Sequence, residues 1–193
     1  MKFLDFYNNP KNIRFSSFKF TLDLCHKRNL KNIVETGTSR GKIKFFIFKK
    51  MNWKDGMSTI MFSEYARFIN GKLYSCDIST KNIEQAKKFT AKNKAFVNFY
   101  VDDSINFLKK FNDKIDLLYL DSLDGHDKIK ASLHQLEEAK ACINNLHDKS
   151  LVLLDDKGAK TNLSIDFYIK NKFIILNETK NQILFSKTQE VDN

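Results

Sequence analysis

Asn32-Ile33-Val34-Glu35-Thr36-Gly37-Thr38-Ser39-Arg40-Gly41 is a short apolar strand that meets an acid and then turns through two glycines. Glycine there permits a tight turn and a close approach of the backbone to a ligand. The spacing, E-x-G-x-x-x-G, is not the G-x-G-x-x-G of dinucleotide enzymes, which argues against a nicotinamide oxidoreductase. Outward from this turn the strand pattern repeats. Residues 72–77, 95–101, 115–120 and 151–154 read as four further strands. The run at 115–120 is nearly continuous in apolar character, as a strand covered on both faces should be. Residues 173–176 and 182–186, separated by 177–181, read as a terminal antiparallel hairpin.

Between the strands the period becomes helical. Ile83, Ala86 and Phe89 share one face, and Leu163, Ile165, Phe167 and Ile169 mark a shorter helix. Ile129, Leu133, Leu136, Ala139, Ile143 and Leu146 form a long stripe expected to face the core. Thr80, and Asp103 or Ser104, stand where helix N-caps belong. Phe15, Phe18, Leu22 and Cys25 predict one more helix ahead of the first strand. Strands alternating with helices give a parallel sheet with right-handed crossovers. The expected fold is a doubly wound, Rossmann-like α/β domain. Its sheet has seven mostly parallel strands ending in an antiparallel hairpin, with helices on both faces.

The 193 residues are 29% charged and 42% apolar, with 18 Phe, which suits one folded domain and not a disordered chain. Residues 1–30 are expected to form a helical cover. Residues 42–56, with Phe45, Phe46, Phe48 and Trp53, read as an insertion over the carboxyl edge of the sheet. That insertion suits a lid or a contact between two copies in a homodimer, and both stay open. The formal charge of +10 invites a nucleic-acid partner. The excess is nearly all Lys, however, with only Arg14, Arg28, Arg40 and Arg67, whereas bidentate phosphate contacts prefer Arg. A nucleic-acid partner is therefore not expected. Cys25, Cys76 and Cys142 are odd in number and far apart, so neither a disulfide framework nor a zinc site is expected. No segment has the length or character of a membrane span or signal core, and a reduced cytoplasm is the expected setting.

In such a sheet ligands bind beyond the carboxyl ends of the strands. Every end here is acidic: Glu35, Asp77, Asp102-Asp103 before Ser104, Asp121, and Asp155-Asp156. Asp77 lies far from the glycine turn, but subtracting residues 42–56 restores the spacing of a ribose-binding acid. Taken together these positions resemble motifs I to IV of class I S-adenosylmethionine-dependent methyltransferases, over about residues 30 to 187. The resemblance implies that Glu35, Gly37 and Thr38 surround the methionine part of S-adenosylmethionine. It also implies that Asp77 holds the ribose, and that Asp103 and Ser104 hold the adenine.

Asp121, Asp155 and Asp156 would supply an all-oxygen site suited to Mg²⁺. A cation there could grip a substrate hydroxyl, which is similar to metal-dependent small-molecule O-methyltransferases of the catechol and macrocin type. Asp124 stands where the catechol type carries Lys, so the catalytic pair expected here is Asp121 and the loop residue His126, histidine being the side chain type suited to general-base work near neutral pH. The acceptor is expected to be a hydroxylated small molecule such as a sugar or secondary metabolite. One alternative is an RNA ribose 2′-O-methyltransferase, with Asp121, Lys157 and Glu178 plus Lys19 or Lys27. A catalytically inactive binding protein of the same fold is another.

Overall fold

Strand β6 (Ile115–Leu120) is buried along almost its whole length, and alternate residues feed two different cores. Leu117 and Tyr119 join one cluster, with Phe18, Leu22, Met61 and Phe62. Leu118 and Leu120 join the other, with Phe107, Ala139, Cys142 and Tyr168. This two-faced burial follows from the period of two along a strand and places helices on both sides of the sheet. The computed structural model describes residues 1–39, 42–45 and 48–189. Gly41, the last glycine of the turn, and Arg40 and Phe46 lie outside the described residues.

In chain order the elements are α1 (Phe15–Lys27), β1 (Asn32–Thr36), β2 (Lys42–Phe45), β3 (Phe48–Met51), α2 (Ser58–Ile69), β4 (Lys72–Asp77), α3 (Thr80–Phe89) and β5 (Val97–Val101). Then come α4 (Ser104–Lys110), β6, α5 (Lys128–Cys142), β7 (Leu146–Leu154), α6 (Asn162–Lys170), β8 (Ile174–Glu178) and β9 (Ile183–Ser186). The main sheet has the order β5-β4-β1-β6-β7-β9-β8. The first five strands are parallel, and β9 pairs antiparallel with both β7 and β8, as the sequence predicts. Strand order reverses beside β1, which lies between β4 and β6. The turn at Gly37 therefore stands at the switch point, where the crevice of such a sheet opens. Residues 42–45 and 48–51 pair as a separate antiparallel ribbon, β2 with β3.

Three local expectations need correction. The helix after β4 is capped by Ser79, whose side chain accepts from the Asn82 N–H, and not by Thr80. Strand β7 begins at Leu146, so that residue belongs to the sheet and not to a helical stripe. The third correction concerns α5, which turns its predicted stripe partly outward: Ile129 is 77% and Leu133 49% exposed. Its inner face carries Ala131, Ser132, Gln135, Glu138, Ala139 and Cys142. The reason lies in what the helix covers. Gln135 donates to the Leu120 carbonyl, and Glu138 faces Thr36, Ser104 and Ser122, so polar groups near the carboxyl edge set the rotation of α5. All three cysteines are buried and free. Among the described residues no helix is long and apolar enough to cross a membrane.

Candidate functional site

The turn after β1 is built around Gly37. Its φ is +83°, and a Cβ there would lie 2.1 Å from the Asp121 carbonyl oxygen. Glycine thus serves both conformation and the contact between the ends of β1 and β6. Beneath the turn, the Glu35 carboxylate accepts hydrogen bonds from the Ser58, Thr59 and Ser75 hydroxyls at 2.6–2.8 Å. Thr59 Oγ1 in turn accepts from the Ser39 N–H, and Ser75 Oγ meets Thr38 Oγ1 at 3.1 Å. Glu35 is wholly buried, so it shapes the turn and the start of α2 from below and does not form the cleft wall.

Burial pushes the Glu35 carboxyl up to about 7, with the three hydroxyls pulling the other way. A carboxyl with a raised folded pKa binds its proton more tightly in the folded state. Its stabilising contribution is complete below the ordinary value near 4.5 and is lost as pH rises to about 7. That difference corresponds to about 3 kcal/mol. Urea unfolding of Glu35→Gln against wild type is expected to show the wild type losing about 3 kcal/mol relative to the variant over this window. Parallel pH curves would refute the assignment.

Asp77, at the end of β4, accepts from the Thr38 N–H at 3.0 Å, the Ser79 N–H at 2.7 Å and the Asn82 side-chain amide at 3.1 Å. These bonds aim the carboxylate across the mouth of the turn. Two cavities meet here and share Gly37, Asp77, Ile78, Ser122 and Leu123. The smaller, about 180 Å³, runs toward Asp103, Ser104 and His134. Asp103 caps α4 by accepting from the Asn106 N–H, and Ser104 Oγ lies 3.0 Å from His134 Nε2. Glu138 lies behind them, where burial pushes its carboxyl up.

The larger cavity, about 440 Å³, runs the other way, to Arg14, Asp121, Asp124 and Asp156. Asp121, Asp155 and Asp156 come within 4.8 Å of one another, as expected from the sequence. Their oxygens have partners that the sequence did not reveal. Arg14 Nε lies 2.7 and 2.8 Å from the two oxygens of Asp155, and its Nη2 reaches Asp156 Oδ1 at 2.8 Å. Lys160 Nζ reaches Asp121 Oδ1 at 2.7 Å and Asp156 Oδ2 at 3.0 Å. The Tyr119 hydroxyl donates to Asp121 Oδ2 at 3.3 Å. All six carboxylate oxygens are therefore engaged by the chain itself, and the residues do not fit a bound Mg²⁺ without displacing them. Burial and then Asp155 push the Asp121 carboxyl well above the ordinary range, against the pull of Lys160. Burial opposes the charge on Lys160, yet Asp121 and Asp156 outweigh it and hold the ammonium protonated.

The structure thus brings Gly37, Thr38, Asp77, Asp103, Ser104, Asp121 and Asp156 to one connected cleft. Asp155 lies behind it, fully buried. His126 does not join them: it is exposed and lines neither cavity, because the loop after β6 lays Asp121 to Asp124 along the larger cavity and carries residues 126–129 away from both. Of the alternative Lys–Asp–Lys–Glu set, Lys157 and Glu178 pair with each other, whereas Lys19 pairs with Asp23 on the exposed face of α1. Lys27 lines a groove with Ile175 and Leu176 of β8. Sequence reasoning missed Arg14 and Lys160. Arg14 offered a faint signal, one of few Arg in a Lys-rich chain and suited to bidentate carboxylate pairing. Lys160 offered none.

A family model described as "Methyltransferase domain" matches residues 34–157. No curated protein sequence matches the chain. Among solved structures, the O-methyltransferase NovP is 10% identical with a TM-score of 0.65, covering 91% of this chain and 80% of its own. The SAH-bound Podospora anserina methyltransferase PaMTH1 is 13% identical with a TM-score of 0.61, covering 86% and 76%. An rRNA methylase from Streptococcus thermophilus is 12% identical with a TM-score of 0.59, covering 88% and 95%. At these identities the likeness is one of fold. The family model covers more than half of the chain, and from it follows the identification: this chain belongs to that methyltransferase family, the class I S-adenosylmethionine-dependent group that its strand ends resemble.

Proposed function

We propose that the protein transfers a methyl group from S-adenosylmethionine to a hydroxyl of a small molecule. The observation that carries this reading is the pair of cavities joined at Gly37 and Asp77, one leading to Asp103 and Ser104, the other to Asp121. In this reading Asp77 accepts the ribose hydroxyls, Asp103 and Ser104 meet the adenine, and the turn at Gly37 and Thr38 holds the methionine part, which would leave the sulfonium on the side of the acidic wall. In the transfer, the acceptor oxygen forms a bond to the methyl carbon as the carbon–sulfur bond breaks. The bonding pair stays on sulfur, giving S-adenosylhomocysteine, and the acceptor proton leaves to a base.

Asp121 is the carboxylate at that place. Each of its oxygens keeps a further lone pair beyond its bonds to Lys160 and Tyr119. Burial raises its affinity for a proton, the direction that favours taking one from the acceptor. Asp121→Asn is expected to lower kcat by about 10²- to 10⁴-fold with donor affinity kept. A normal rate in that variant removes Asp121 as base.

Calorimetry with S-adenosylhomocysteine tests the donor site. Wild type is expected to bind, and Asp77→Ala to lose about 100-fold in affinity, equivalent to two charge-assisted hydrogen bonds. Equal affinities would sink the placement of the ribose. Labelled donor offered with hydroxylated sugars, catechols and RNA then identifies the acceptor. Methylation of RNA alone would overturn the small-molecule reading.

A further inference from the structure

We propose that Arg14 and Lys160 stand where a divalent cation would otherwise sit, so that the acceptor side of the cleft works on two tethered side-chain cations and takes no metal. Three carboxylates converge at the ends of β6 and β7, the arrangement that most invites a hard cation. With Arg14 and Lys160 they carry a net charge of −1, the same as three carboxylates around one dication. The charge problem that a metal would solve is already solved by the chain.

The two cations are built in, not draped over the surface. Lys160 is 2% exposed, and its ammonium bridges Asp121 and Asp156 from the segment after β7. Arg14 comes from the opposite end of the chain, just before α1, and its side chain is 13% exposed. Its Nη1 donates to the Lys54 carbonyl at 2.8 Å, which ties the same guanidinium to the segment after β3. An octahedral Mg²⁺ would need carboxylate oxygens at about 2.0–2.1 Å. Its two positive charges would then lie against an ammonium and a guanidinium held on the same carboxylates, and those cations have no other acidic partners among the described residues to move to.

The arrangement also gives the cations something to do. Three of the five N–H groups of Arg14 are spent on Asp155, Asp156 and Lys54. The remaining two lie on its terminal nitrogens, and Arg14 lines the larger cavity. They are free to hold an oxygen of the acceptor, the positioning that a metal would otherwise provide. Lys160, more deeply buried, fixes Asp121 and Asp156 in orientation.

This inference rests on the reading of Asp121 as the acceptor-side carboxylate, but its test reads metal binding and leaves donor binding to the calorimetry above. Wild-type protein titrated with Mn²⁺ and followed by electron paramagnetic resonance is expected to leave the free-ion signal undiminished. Its melting temperature should be the same with EDTA as with Mg²⁺. Lys160→Met, which releases one oxygen each of Asp121 and Asp156, is expected to take up one equivalent of Mn²⁺ and to melt higher in its presence. A variant that unfolds alone and refolds with Mn²⁺ supports the proposal equally. One-to-one depletion of the Mn²⁺ signal by the wild type overturns it. So does a Lys160→Met variant that Mn²⁺ neither binds nor stabilises.

Discussion

Arg14→Met should lower the unfolding free energy by about 3 to 5 kcal/mol, because it strands buried carboxylates without their counter-charge. Asp155 has no exposed side-chain surface, and both of its oxygens rest on the Arg14 guanidinium. By contrast, the exposed Lys19–Asp23 pair on α1 is screened by solvent, and removing it should change little. Urea denaturation at neutral pH measures both. The second half of the test is Asp155→Asn in the Arg14→Met background. If the loss comes from stranded charge, the double variant recovers part of it, and the two changes are not additive. An Arg14→Met loss below about 1 kcal/mol would mean that the cluster is solvated after all.

Gly37→Ala is the other large effect. A left-handed backbone costs a residue with a Cβ about 1–2 kcal/mol. The new methyl would also lie 2.1 Å from the Asp121 carbonyl oxygen, so β1 and β6 must part at their carboxyl ends. Overpacking of this kind costs a further 1–3 kcal/mol or so, for a total of about 2 to 5 kcal/mol. The same shift moves Thr38 and Asp121 off their positions, and a displacement near 1 Å lowers activity by about 100-fold. Gly158→Ala serves as the control. Gly158 also has a positive φ, +80°, but nothing lies within 4 Å of its added Cβ. It should show only the backbone cost and keep donor binding. Equal losses in the two variants would show that the close approach of β1 to β6 is not what Gly37 provides.

The parallel strands and most helices were legible because their signals are local. The continuous apolar run at Ile115–Leu120 and the turn at Gly37 depend on nearest neighbours, and parallel pairing follows once helices intervene. The orientation of α5 was not legible. Counting Ile129 and Leu133 as inward assumed an apolar environment, whereas the helix lies over polar groups at the ends of β1, α4 and β6. Glu35 shows the same limit. Its position at the end of β1 was plain, but only the packing of Ser58, Thr59 and Ser75 around it reveals a support of the turn.

The sequence by itself determined the class of sheet, the glycine turn after its first strand and the row of acids at its carboxyl edge, because each is written in short-range pattern. It also carried the family resemblance, which is a matter of the order of those acids. Only the tertiary structure decided how the acids are used. Arg14 and Lys160 stand 146 positions apart in the chain, and nothing in their neighbours marks them among so many basic residues. They become partners of Asp121, Asp155 and Asp156 because α1 and the segment after β7 fold onto the same edge of the sheet. Charge pairing over that separation is a property of the fold, and only the folded chain shows that the three acids already carry two side-chain counter-charges.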